Sequence, residues 1–247
     1  MTQNAIDRKD KSTISMLIPF ITSVIMYFSL IQHTERSSTS STVLKCMPIF
    51  SLLFYVMLKD SKASRKANYH SRIFYGLVFS VLGDFLLNYE LFEPGMGAFG
   101  VAQIFYIWAF GMKLNKIWIG TILYLTGFLA ITLFFENLNT VIKICLPFYA
   151  ILLLTMCWRS LARIDRSDSY LRIVCGIASI LFVISDGIIA IDKFFTPIKS
   201  AQTYIMITYY LAQVGITLSI NDVQLYQTST FTESSVRSDN KTKHKSY

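Results

Sequence analysis

Two aspartates lie inside long apolar stretches of this sequence, where a charged side chain is costly. Asp84 lies within Tyr75–Asn88 and Asp186 within Gly176–Ala190, and neither has another acid or base within five residues on either side. A charge at the middle of a membrane helix costs about 2.5–3.5 kcal/mol on insertion scales, so such residues usually face a protein interior and mark function. The sequence therefore predicts a site built on a pair of carboxyl groups.

The chemistry open to such a pair is general acid–base catalysis. Burial disfavours the ionised form of a carboxyl group, and two neighbouring carboxylates resist ionising together. One group can then hold a proton while the other stays ionised, which supplies an acid and a base for a reaction through an oxocarbenium-like cation. The natural substrate for a site inside a bilayer is a lipid.

Other catalytic chemistries find few suitable residues. The three histidines, His33, His70 and His244, fall outside the predicted helices, so we expect no histidine base or zinc ligand in the membrane. The four cysteines form no Cys-x-x-Cys pair, and no glycine-rich phosphate loop is present. These patterns predict structural thiols, with neither a metal site nor a cofactor.

The elements that must position the two acids are predicted to be membrane helices. The chain is 53% hydrophobic and only 15% charged, with a mean hydropathy of +0.47, whereas soluble domains carry about 25% charged residues. Crossing a bilayer takes about 20 apolar residues, and these runs are too long and too uniformly apolar for barrel strands. We expect an all-α polytopic membrane protein, a bundle of eight transmembrane helices over 14–32, 43–58, 71–89, 96–112, 116–135, 139–158, 171–191 and 201–221.

The distribution of positive charge predicts the orientation. Most of the 23 Lys and Arg residues lie in the two terminal segments and in the loops after helices 2, 4 and 6, so both termini are expected in the cytosol. The expected organisation is a cytosolic segment 1–13, a membrane domain 14–221 and a disordered cytosolic tail 222–247. The net charge of +8 is dispersed over short loops, which favours contact with anionic lipid rather than nucleic acid. Lys243 and Lys245 resemble a dilysine retrieval signal, which predicts the endoplasmic reticulum membrane.

A polar stripe follows one face of helix 3. Ser80, Asp84 and Asn88 are four residues apart and therefore stack on one face. Gly76 and Gly83 would let a neighbouring helix approach closely. Helix–helix adhesion is an alternative explanation of this stripe, although a carboxylate is a costly residue for that purpose.

The two acids are predicted to share a layer. Each lies about five residues from the outer end of its predicted helix, and both helices run outward. Gln103 on helix 4 is about seven residues from the same edge. At 1.5 Å per residue, all three lie roughly 8–10 Å below that edge.

Two motifs surround the acids, Phe-Ser-Val-Leu-Gly-Asp at 79–84 and Phe-Val-Ile-Ser-Asp at 182–186. Further characteristic positions are Lys45, Pro48, Gly97, Phe99, Tyr106, Phe110, Pro147, Tyr149, Met156 and Tyr210-Leu-Ala-Gln213. With these features the sequence resembles the YhhN-like lysoplasmalogenase family, eight-helix membrane proteins that hydrolyse the vinyl ether bond of lysoplasmalogens. The resemblance implies that Asp84 and Asp186 are the catalytic pair and that the substrate is a lysophospholipid in the bilayer.

The implied reaction suits two carboxyl groups. Protonation of the outer vinyl carbon gives an oxocarbenium ion, water attacks it, and the hemiacetal collapses to a fatty aldehyde and glycerophosphocholine or glycerophosphoethanolamine. One aspartic acid would donate the proton, and the other would stabilise the cation and orient the water. Asn88, Gln103 and Tyr106 are candidates for orienting substrate or water, and Lys45 for holding the lipid phosphate at the outer rim.

Gln103 departs from the family pattern, which usually has His at this position. Glutamine cannot carry a proton at neutral pH, so a catalytically weak relative that binds lysolipid stays open as an alternative. A proton- or cation-coupled transporter is a second alternative, favoured by the short echo between the two Asp motifs at equivalent places in each four-helix half. Aldehyde release by the purified protein distinguishes the hydrolase from both.

Overall fold

The computed structural model of the 247-residue chain describes residues 3–31, 34, 37–59, 64–133, 135–164 and 169–222. In these ranges the chain forms eight α-helices and two short 3₁₀ segments, without a strand. The helices are α1 (Gln3–Leu30), α2 (Thr39–Leu58), α3 (Ser64–Asn88), α4 (Phe92–Phe110), α5 (Ile117–Thr132), α6 (Thr140–Ala162), α7 (Tyr170–Phe194) and α8 (Ala201–Leu218).

The fold is that of an all-helical, multi-pass membrane protein. Among the described residues six helices, α1, α2, α3, α6, α7 and α8, are long and apolar enough to cross a membrane. Helix α5 is apolar but has only 16 residues. The predicted all-α class and the eight helices are confirmed, whereas crossing of the bilayer by all eight stays a prediction.

Several helices begin earlier than predicted, and the difference is largest for α1 and α3. Helix α1 starts at Gln3 rather than at residue 14, and α3 starts at Ser64 rather than at residue 71. Hydropathy marks the apolar part of a helix, and polar residues without Pro or Gly readily continue it.

His70 consequently lies within α3, where its side chain is buried. The prediction that all three histidines fall outside the helices is therefore wrong for this residue. His33 and His244 lie outside the described residues. His70 precedes Asp84 by fourteen residues, which is about 21 Å along the helix axis, so it cannot reach that carboxyl group.

Helix α2 also begins earlier, after the N-cap residue Ser38, whose side chain accepts a hydrogen bond of 3.1 Å from the backbone of Ser41. Pro48 therefore lies in the interior of α2, beyond its first turn. In the helix interior a proline has no N–H for the carbonyl four residues earlier, here that of Leu44. The backbone hydrogen bonding of α2 is interrupted one residue before Lys45.

The helices pack as closely associated pairs around a shared core. Helix α3 lies against α4 and α7 against α8, while α2 contacts α1, α3 and α8, and α6 contacts α4, α5 and α7. Gly76 and Gly83 permit the first pairing, since a Cβ atom would lie 2.2 Å from the Tyr106 ring and 2.6 Å from the Phe99 ring, respectively. The predicted close approach at these two glycines is confirmed.

Helix α5 lies at the periphery of the bundle. Gly120 is its only buried residue, and α6 is its main neighbour among the described helices. It contributes no side chain to the bundle core.

The described chain ends at Asp222, which the sequence assigned to the tail. Its carboxylate is buried, accepts a hydrogen bond of 2.7 Å from Arg172 and lies 4.0 Å from Arg163. Residues 223–247, with the predicted retrieval signal, lie outside the described residues.

Candidate active site

Asp84 is held at the meeting point of three helices. Only 3% of its side chain is exposed, and its Oδ1 atom lies 3.6 Å from Nζ of Lys45 on α2. Its Oδ2 atom accepts a hydrogen bond of 2.6 Å from the hydroxyl group of Tyr209 on α8. The lysine supplies the positive charge that offsets the cost of burying a carboxylate.

Lys45 is held through both its side chain and its backbone. The Tyr210 hydroxyl donates a hydrogen bond of 2.9 Å to the Lys45 carbonyl oxygen, next to the interruption caused by Pro48. The sequence placed this lysine at an outer rim, in reach of a phosphate. In the structure its side chain is 10% exposed and its ammonium group faces Asp84 inside the bundle.

Asn88 lies one turn beyond Asp84 on the polar stripe, but it serves a different contact. Its amide donates to the hydroxyl groups of Ser41 and Thr42 in the first turn of α2, at 2.9 and 2.7 Å. The hydrogen bonds join the C-terminal end of α3 to the N-terminal end of α2, so the amide hydrogens of Asn88 are engaged with protein atoms.

A second polar network lies one turn on the other side of Asp84. Tyr106 donates to Oε1 of Gln213 at 2.8 Å, and Gln213 donates from Nε2 to Ser80 at 3.0 Å. Ser80 in turn donates to the Gly76 carbonyl oxygen at 2.9 Å. All three side chains are fully buried, so this chain of hydrogen bonds fixes α3, α4 and α8 beneath the carboxylate.

Asp186 has a different environment from Asp84. The Tyr149 hydroxyl on α6 donates a short hydrogen bond to its Oδ2 atom. Among the described residues no Lys or Arg lies within ion-pairing distance of this carboxyl group. Asp186 is only partly buried, because it faces a cleft.

The cleft is apolar and narrow, with a cavity volume of about 40 Å³, and it is partly open to its surroundings. Asp186 is its one charged lining residue. Residues from α3, α4, α6 and α7 form the walls: Leu87, Phe92, Met96, Phe99, Leu146, Tyr149, Ile189, Ala190 and Phe194.

An aromatic cluster separates the two acids. Phe99, which lines the cleft, packs edge-on against Phe182 and Tyr209 with ring centroids 6.3 and 5.8 Å apart. Tyr209 is also the hydrogen-bond donor to Asp84. Asp84 nevertheless lies within electrostatic range of Asp186.

The prediction that Asp84 and Asp186 lie equally far from the ends of their helices holds only approximately. Asp84 is four residues from the end of α3, whereas Asp186 is eight residues from the end of α7. Helix α7 continues to Phe194 rather than ending at 191.

Gln103 is fully buried on α4 beside the hydroxyl group of Tyr149. Neither its amide oxygen nor its nitrogen makes a well-formed hydrogen bond to the described part of the protein. A buried amide of this kind has a free donor and a free acceptor to offer a ligand or water. No three His, Cys, Asp or Glu side chains in the described ranges lie close enough together for a metal site.

Sequence reasoning gave no catalytic role to the two tyrosines that hold the acids. Tyr149 and Tyr209 each bond one carboxyl group, yet tyrosines are common in membrane helices and carry no distinctive pattern. One clue exists for Tyr209, since it precedes Gln213 by four residues and both then face the same neighbour.

The arrangement brings two carboxyl groups with unlike surroundings into one part of the bundle. Asp84 has a cation, Lys45, within 3.6 Å, which favours its ionised form. Asp186 faces apolar side chains, which favour the neutral form of a carboxyl group. Two carboxyl groups in such unlike surroundings have the chemistry to divide the roles of proton donor and fixed negative charge, which acid catalysis through a cation requires.

Comparisons with known proteins give consistent matches. Over 215 residues the chain is 32% identical to lysoplasmalogenase TMEM86A of Bos taurus, which covers 85% of this chain and 90% of that protein. Over 204 residues it is 32% identical to lysoplasmalogenase TMEM86B of Homo sapiens, covering 82% of this chain and 85% of that protein. No solved structure gives a significant match.

The match to a family model extends over most of the helical bundle. Residues 40–220 match the model of the YhhN family, and this range contains both aspartates, both tyrosines that bond them and the cleft. The chain belongs to the YhhN family.

Proposed function

We propose that this protein is a membrane lysoplasmalogenase that hydrolyses the vinyl ether bond of a lysoplasmalogen to a fatty aldehyde and glycerophosphocholine or glycerophosphoethanolamine. The names of relatives at 32% identity over most of the chain support the activity. The observation that carries the proposal is the carboxyl group of Asp186 in the wall of an apolar cleft, with a second buried carboxylate nearby.

In the first step Asp186 acts as the general acid. Tyr149 occupies its Oδ2 atom as a donor, which leaves Oδ1 to carry the proton toward the cleft. Transfer of this proton to the outer vinyl carbon converts the vinyl ether into an oxocarbenium ion and leaves Asp186 ionised. Acid catalysis of this type contributes about 10²–10⁴-fold to a rate.

In the second step water adds to the cationic carbon. The ionised Asp186 accepts a proton from the water, which regenerates the acid, and the resulting hemiacetal collapses to aldehyde and alcohol. Asp84 does not line the cleft, so it acts through its fixed negative charge, which stabilises the cation from behind the wall residue Phe99.

Of the four residues predicted to contact substrate or water, we assign only Gln103 a contact, to a buried water, because its amide has both a donor and an acceptor available but does not line the cleft. Lys45, Asn88 and Tyr106 are positioning residues in this proposal. Their polar groups are engaged with Asp84, with Ser41 and Thr42, and with Gln213, respectively.

We further propose that the protein resides in the endoplasmic reticulum membrane. All eight helices cross the bilayer there, and both termini lie in the cytosol. The excess of Lys and Arg in the terminal segments and in the loops after helices 2, 4 and 6 supports this orientation. A single cysteine placed at residue 2 or 246 of a cysteine-free variant should react with an impermeant thiol reagent in sealed microsomes, whose outer face is the cytosolic one. Labelling only after the lumen is opened would contradict the orientation.

The activity is tested by aldehyde release from purified protein in lipid nanodiscs. Wild-type protein should release aldehyde from a choline or ethanolamine lysoplasmalogen and none from the saturated ether analogue, which has no double bond to protonate. Failure to release aldehyde from well-folded protein would overturn the proposal. Tight lysolipid binding without release would then identify a binding protein, and ion-dependent uptake in proteoliposomes would identify a transporter.

A further inference from the structure

The cleft that contains Asp186 has two distinct ends. Helices α4 and α7 run along it, and on each the lining residues extend over two turns, from Phe92 to Phe99 and from Asp186 to Phe194. Phe92 packs edge-on against Phe194 at 5.6 Å, which identifies the outer end. Asp186 and Phe99 therefore lie at the inner end.

A cation lies at the outer end. Lys193 precedes Phe194 on α7, its side chain is exposed, and its Nζ atom lies 4.4 Å from the centroid of the Phe92 ring. The aromatic face holds the ammonium group beside the cleft through a cation–π contact and leaves its hydrogens free for an anion. Nothing in the chemistry proposed so far uses this lysine.

We propose that Lys193 binds the phosphate group of a single-chain phospholipid whose vinyl ether reaches Asp186. The inference rests on the proposed function and adds to it the group that recognises the head group. Seven residues separate Asp186 from Lys193, which is about 10 Å along α7. The extended glycerol arm between phosphate and outer vinyl carbon spans about 9 Å at bond lengths near 1.5 Å.

The lining of the cleft supports binding with the phosphate at Lys193 and the vinyl ether at Asp186. Its walls are apolar except for Asp186 and the Tyr149 hydroxyl group that bonds it, so they suit the ether arm and the first methylene groups of the chain rather than a phosphate. A phosphate within the walls would lose hydration without gaining a partner, whereas at the outer end it meets Lys193.

Other positive residues are less suited to this task. The sequence predicts five Lys and Arg residues on this side of the membrane: Arg36, Lys45, Lys143, Lys193 and Lys199. Lys45 faces Asp84 and Lys143 lies over the Phe135 ring, and Phe135 does not line the cleft. Of the described four, Lys193 alone contacts an aromatic residue of the cleft wall.

The test compares wild-type protein with Lys193→Met, which keeps the length of the side chain, and with Lys199→Met as a control of equal charge change. Each is assayed in nanodiscs with an alkenyl lysophosphatidylcholine and with the corresponding alkenylglycerol, which has no phosphate. Lys193→Met should raise KM for the phosphate-bearing substrate about tenfold, the lower end for a hydrogen bond to a charged group. Its kcat, its activity on alkenylglycerol and both activities of Lys199→Met should stay within about twofold of wild type.

Equal losses on both substrates, or an unchanged KM in Lys193→Met, would overturn the assignment while leaving the hydrolase proposal intact. Equilibrium binding of the saturated ether lysophosphatidylcholine is a second measurement, which does not depend on turnover. Weaker binding by Lys193→Met alone would sustain the phosphate site even if no aldehyde were released, and equal binding by all three proteins would refute it.

Discussion

Replacing Asp186 with Asn should lower the kcat for aldehyde release by at least about 100-fold while the protein stays folded. The amide has nearly the shape of the carboxyl group and can still accept the hydrogen bond from Tyr149, but it has no acidic proton to give to the vinyl carbon. Loss of a general acid costs about 10²–10⁴-fold. The measurement is steady-state aldehyde release in nanodiscs, with thermal unfolding of the same samples.

Two companion variants make the result specific to the acid. Asp192→Asn lies on the same helix, where the carboxylate accepts a hydrogen bond of 2.7 Å from the backbone of Ile198, and it should retain near wild-type kcat. Tyr149→Phe removes the donor to Asp186 and should lower kcat by about tenfold, the scale of one buried hydrogen bond. Wild-type turnover by folded Asp186→Asn would exclude this residue as the proton donor.

The parts of the site that could be predicted from the sequence are those in which a residue type is unusual for an apolar helix. Asp84 and Asp186 were identifiable because a carboxyl group in an apolar helix is energetically costly and usually has a function. The close pairing of α3 and α4 was predictable from Gly76 and Gly83, since glycine in a membrane helix favours close contact. The structure adds that Tyr106 and Phe99 fill the space these glycines leave.

The parts that sequence reasoning missed depend on which helices become neighbours. Tyr149 and Tyr209 are ordinary residues of membrane helices until the fold brings their hydroxyl groups to the two acids. Lys45 near a predicted interface suggested a side chain that reaches out to water. It turns inward because Asp84 on the adjacent helix offers an opposite charge in a buried place.

Helix boundaries were missed for a different physical reason. Hydropathy reports where a helix leaves the apolar layer, and the hydrogen bonding of α1, α2 and α3 continues through polar residues beyond it. The early start of α2 moved Pro48 into the helix interior, and that of α3 moved His70 into a buried position. Neither change alters the layer that contains Asp84.

Removing the charge of Lys45 should destabilise the protein strongly, because it leaves the carboxylate of Asp84 buried without its partner. Breaking a buried ion pair from one side typically costs 3–5 kcal/mol. At a separation of 3.6 Å we expect about 3 kcal/mol for Lys45→Met, near the lower end of that range. The measurement is the free energy of unfolding, or the shift of Tm, of the detergent-purified protein, with the exposed Lys199→Met as the control that should change little.

The double variant separates the structural role of the pair from its role in the reaction. Asp84→Asn combined with Lys45→Met removes both charges, so its loss of stability should be smaller than the sum of the two single losses by at least about 1 kcal/mol. Aldehyde release by the double variant should nevertheless be as low as that of Asp84→Asn alone, because the negative charge that stabilises the oxocarbenium ion is missing in both. Additive losses of stability would show that the two residues do not interact in the folded protein. Recovery of turnover together with stability would show that Asp84 only supports the fold, and the reaction would then depend on Asp186 alone.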